Sequence, residues 1–77
     1  MSQGPIEIIA TQVRVLRAAK NWSQEELAAR CELHRTYVGA VERGERNITV
    51  GTLYKLARAL TCDVTDLLRE STNKESQ

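Results

Sequence analysis

Seventy-seven residues make one domain, close to the lower size at which a single apolar core holds a fold unaided. An apolar content of 42% with three aromatic residues, Trp22, Tyr37 and Tyr54, implies a small aliphatic core, and no run approaches the roughly 18 apolar residues of a membrane span. The N-terminus lacks a signal-peptide pattern, so the chain is expected in the cytoplasm, and a formal net charge of +1 argues at first sight against a nucleic-acid partner.

Taken in order, residues 1–5 read as a disordered lead-in. A first helix is expected from about Ile6 to Lys20, because Ile9, Val13 and Leu16 repeat along one face. Asn21, tolerant of the left-handed conformation, ends it. Trp22 then packs into the core or caps its edge. Ser23 and Glu26 have capping-box spacing for a second helix, Gln24 to Cys31. Glu32, Leu33 and His34 form a tight turn, with Leu33 the apolar plug beneath it. A third helix follows from Arg35 to about Arg43 and stops at Gly44, the left-handed residue beyond its end.

Ile48 reads as a core anchor after the loop at residues 45–47. Thr49 caps a fourth helix over Val50 to Leu60, with Leu53, Leu56, Ala57 and Leu60 inward. Asp63 caps a fifth, Val64 to about Glu70, and residues 71–77 form a polar, flexible tail. There is no strand pattern and no repeat. The expected fold is all-α: five helices over residues 6–70, with a helix-turn-helix at 24–43.

Charge is unevenly distributed. Arg14, Arg17, Lys20, Arg30, Arg35, Arg43 and Arg46 fall within residues 14–46, whereas acids slightly outnumber bases from Asp63 onward. Cys31 and Cys62 form no CxxC, and free thiols are the default in a reducing compartment. Cys31 and His34 have CxxH spacing, but zinc needs three or four protein ligands and no further Cys–His cluster exists. A single histidine with no nucleophile and orienting acid around it makes no catalytic site, and no glycine-rich phosphate loop is present. The sequence therefore implies no enzyme, no metal and no cofactor.

SQEELAARC, HRTYVGAVERGERN and TLYKLARAL, in that order and spacing, closely resemble the helix-turn-helix domains of phage-repressor-like regulators (Cro/CI, XRE-type). Within that group RTYV, VER and RN-Ile-Thr look most like restriction-modification controller proteins. Two departures stand out. Glu32 occupies a turn position often held by glycine, which should cost on the order of 1 kcal/mol if its φ is positive. Gly39 and Ala40 stand where many relatives place long polar side chains, so base reading should rest on the first turn of the third helix.

The resemblance implies site residues. Arg35 and Thr36 open the recognition helix and project toward base edges, where arginine can grip guanine O6 and N7 together and threonine a polar edge or the thymine methyl. Tyr37 is expected to be exposed beside them, to contact DNA or to pack across the turn. Gln24 matches a phosphate-binding glutamine at a helix start, where amide groups favour an anion. Arg43, Arg46 and Asn47 should grip the DNA backbone. Gly39 is unfavourable within a helix by roughly 1 kcal/mol relative to alanine, which close approach of DNA, or close packing, would rationalise. Arg17 and Glu42 match a partly buried salt bridge tying the first helix to the third.

The implied function is sequence-specific binding of double-stranded DNA to regulate transcription, as a homodimer on a palindromic operator with half-sites roughly 34 Å apart. The dimer surface is expected around Tyr54, Thr61, Val64 and Leu68. RNA polymerase enters as a further partner near Glu45, though no residue singles out an activating patch. The competing reading is a protein-interaction module, an antitoxin or an adaptor; the short polar tail, with little to cover a toxin, disfavours it.

Overall fold

The protein, a computed structural model, is described over residues 4–70. Five helices follow in order: α1 Pro5–Ala19, α2 Gln24–Cys31, α3 Arg35–Glu42, α4 Val50–Ala59 and α5 Val64–Leu67. Four lie within a residue of the expected limits. α1 begins one residue early because Pro5 takes its first position, where a missing N–H costs nothing. The start of the expected lead-in (1–3) and the tail (71–77) lie outside the described residues.

The fifth helix is the correction: it closes at Leu67, not near Glu70. Leu67 is fully buried while Leu68 is exposed, so only one turn finds a core to pack against. A helix that short has little intrinsic stability and lasts only as far as tertiary packing supports it.

The ends of α1 to α4 follow one rule. Asn21, Glu32, Gly44 and Thr61 all have positive φ, between 55° and 72°. In each case the next residue's N–H donates to the carbonyl five positions back: Trp22 to Arg17, Leu33 to Ala28, Glu45 to Ala40 and Cys62 to Ala57. This Schellman pattern satisfies helix-terminal carbonyls and turns the chain back. Trp22, Leu33 and Cys62, the residues just past three of these ends, pack against the core. At the starts, Ser23 accepts the Glu26 amide at 3.0 Å and Thr49 the Thr52 amide at 3.1 Å. Glu26 completes no reciprocal box; its carboxylate pairs instead with Arg30 one turn on, at 2.7 Å.

The core gathers Ile9 and Val13 from α1, Leu27, Ala28 and Cys31 from α2, Val38 and Val41 from α3, and Leu53, Leu56, Ala57 and Leu60 around α4, with Leu67 closing it. Leu16 and Ile48 are half-buried at its edge. Trp22 lies at the edge too, under the guanidinium of Arg30 at 4.2 Å and the ammonium of Lys20 at 5.3 Å. Small Ala28 is buried where α2 meets its neighbours, letting the helices approach closely. This framework leaves the first turns of α2 and α3 side by side on one face.

Candidate nucleic-acid interface

Glu42 is the anchor beneath that face. It is only 2% exposed, and it is the one buried charged residue among those described. Its carboxylate accepts Arg17 Nε at 2.6 Å and Arg17 Nη2 at 2.9 Å, a two-pronged grip, and Gln24 Nε2 at 3.0 Å. Arg17 also donates to the Trp22 carbonyl at 2.7 Å, and its guanidinium is held above the ordinary arginine value chiefly by the hydrogen bond to Glu42. Arg14 donates to the backbone carbonyl of Glu42. One buried carboxylate thus joins α1, α2 and α3, in the fork geometry in which arginine binds carboxylates best.

Above it lies an open hollow of about 200 Å³ lined by Gln24, Arg35, Thr36, Gly39 and Arg43. Gly39 is its floor. A methyl group there would stand 3.2 Å from Arg43 Nη1 and 3.4 Å from Gln24 Oε1. A side chain there would crowd the ends of two side chains that line the hollow. Arg35 and Thr36 are exposed, at the start of α3. The α3 cap is His34, whose Nδ1 accepts the Thr36 amide at 3.2 Å, so the ring in this tautomer carries its proton on Nε2.

Other expected contacts are dispersed around the hollow. Tyr37 is not simply exposed: it is half-buried against the core, with the Arg46 guanidinium 5.1 Å from its ring centroid. The side chain lies where turn packing competes with any ligand. Arg43 leans on Glu45 at 3.1 Å, and Asn47 is exposed in the loop after α3. Arg35 is paired with Glu25 at 3.1 Å, a partner ten residues away that the sequence did not single out, since no helical spacing links the two.

The residues expected to self-associate lie on and between α4 and α5 and just past the end of α5. Tyr54 is 59% exposed and shares a shallow hollow of about 220 Å³ with Val64, Ala57, Arg58, Cys62 and Asp63. Leu68 and Thr61 are exposed nearby in sequence but do not line it. The CxxH pair is occupied elsewhere: the Cys31 thiol points to the Lys55 carbonyl at 3.8 Å, and His34 serves as the cap. Among the described residues no helix is long and apolar enough to cross a membrane.

Two short helices set at an angle by a turn, the second presenting its first residues to solvent beside the start of the first, are the frame of a DNA-reading helix-turn-helix. Residues 13–67 match the Helix-turn-helix family, and the chain belongs to that family of transcriptional regulators. Within it the chain is closely related to restriction-modification controller proteins. It is 51% identical over 71 residues to control protein C.SmaI of Serratia marcescens, covering 92% of this chain and 84% of the relative. The structure of the restriction-modification controller protein C.AhdI from Aeromonas hydrophila superposes with a TM-score of 0.78 at 44% identity, over 80% of this chain and 94% of that one. A hypothetical transcription factor from Neisseria gives a TM-score of 0.86 at 43% identity, over 90% and 79%. These relatives are regulators rather than enzymes.

Proposed function

We propose that the protein is a cytoplasmic, non-enzymatic controller that binds a palindromic operator as a homodimer and regulates restriction-modification genes. The observation that carries this reading is the hollow shared by the starts of α2 and α3, with Arg35 and Thr36 exposed on it and Arg43 at its edge. Arg35 and Thr36 contact bases, and Tyr37 adds an edge contact through whatever surface its packing leaves free. Gln24, Arg43, Arg46 and Asn47 hold phosphates. Gln24 is prepared for this by Glu42, which takes one of its amide hydrogens and leaves the other. Arg17 and Glu42 serve as structure. Two copies meeting through Tyr54, Thr61, Val64 and Leu68 present two such faces, because one short helix reads too few base pairs for useful specificity. RNA polymerase is a further partner of a regulator so placed.

The test is selection from a random duplex pool at near-physiological salt, combined with sedimentation of the free protein. A palindrome with guanines at symmetric positions, lost in R35A/T36A while the circular dichroism stays helical, supports the reading. A monomer that enriches no sequence refutes it and turns attention to a protein partner.

A further inference from the structure

The two arginines that line the hollow are both held by acids of the same chain. Arg35 Nη1 lies 3.1 Å from Glu25 Oε2, and Arg43 Nε lies 3.1 Å from Glu45 Oε1. A general DNA binder gains from free cations, because affinity for any duplex rises with each phosphate that a mobile charge can neutralise. This chain instead carries acids beside the start of α3, and the net charge stays at +1. Glu25 is the more telling of the two. It stands in the first turn of α2, next to Gln24, where a negative charge opposes the anion-attracting helix end. Its neighbour Glu26 is engaged with Arg30, so the partner of Glu25 is Arg35.

The pair leaves Arg35 a particular freedom. A guanidinium has five N–H donors in a planar fork, and here Nη1 is the group turned to Glu25. The Nε–Nη2 edge stays available, and that edge suffices for the two-bond grip on guanine O6 and N7. An arginine so held has less freedom to swing toward whichever phosphate is nearest. It also neutralises Glu25, whose bare charge would repel a phosphate arriving at Gln24.

We propose that Glu25 is a positioning residue for base readout, holding Arg35 toward the groove so that the protein selects guanine-containing sites and is restrained on random DNA. The inference rests on the DNA-binding reading above, and its test separates the two. Affinities of wild type, E25Q and E25A are measured for the selected operator, for operators with the contacted guanine replaced, and for random duplex, across a salt series.

Loss of the pair frees Arg35 for phosphates. Affinity for random duplex is expected to rise about 3–5-fold, the scale of an exposed ion pair. The salt slope should steepen by up to about 0.9, one additional phosphate. Discrimination for guanine at the Arg35 position falls by a similar factor, more in E25A than in E25Q, whose amide oxygen can still accept a hydrogen bond. If Glu25 contributes only bulk charge, affinity for every duplex rises equally and discrimination is unchanged. If the substitutions merely damage the fold, all affinities drop together. Either result overturns the assignment of Glu25 while leaving the DNA reading intact. A wild type that prefers no sequence overturns both.

Discussion

Removing Arg17 should destabilise this domain more than any other single change to a charged side chain on the interface side. In R17A the Glu42 carboxylate, 2% exposed, loses contacts at 2.6 and 2.9 Å and retains only the Gln24 amide at 3.0 Å. The Trp22 carbonyl loses its donor at 2.7 Å as well. Breaking a buried pair from one side costs about 3–5 kcal/mol, because the remaining charge is left under-compensated away from water. Arg17 keeps a fifth of its side chain exposed, so water can partly replace it and the lower end, about 3 kcal/mol, is the expected loss. A chain of this length is stable by about 4–12 kcal/mol in total, so R17A forfeits a large share.

Urea unfolding at neutral pH, followed by circular dichroism, measures the loss directly. A thermal scan should show the midpoint falling by about 12–24 °C. The companion variant R17M/E42M removes both charges and fills similar volume; it should recover most of the loss, as buried ion pairs replaced whole by apolar groups often do. An R17A protein within about 1 kcal/mol of wild type would refute the reasoning, since that is the value of a solvated surface pair. So would a double variant weaker than R17A, because the penalty would then lie in lost shape rather than in the stranded charge.

Three further outcomes are expected. Glu32 and Thr61 hold φ of 58° and 55°, so E32G and T61G should each stabilise by about 1 kcal/mol in chemical denaturation, with the β-branched Thr61 the more strained start. G39A gains helix propensity worth about 1 kcal/mol, but its methyl meets Arg43 and Gln24; stability should hold or rise while operator affinity falls in a filter or fluorescence titration. Burial raises the thiols of both Cys31 and Cys62, with Asp66 and Asp63 raising Cys62 further. The folded chain therefore keeps protons that the unfolded chain releases above about pH 8.5, so stability is whole below that pH and declines as the pH climbs toward the folded values. Urea midpoints at neutral and alkaline pH should show this decline, flattened in C31A/C62A.

The sequence alone determined the helices and most of their ends, because the signals are local. The stripe of Ile9 and Val13 and the caps Ser23 and Thr49 act within a turn or two, as do the left-handed exits at Asn21 and Gly44. Thr61 shows the limit of such signals: a threonine in a glycine's conformation is visible only once packing forces it, and that same packing decides that α5 stops at Leu67. At the interface, the resemblance to phage-repressor-like regulators implied Gln24, Arg35, Thr36 and Arg43, and the fold places these four around one hollow. What they hold there was decided by tertiary structure. Glu42 gathers Arg17 and Gln24 from two other helices, Glu25 reaches Arg35 across the turn, and Tyr37 packs partly against the core. Such pairings join residues without a periodic relation in sequence, and their energies depend on burial, which exists only after the helices have packed.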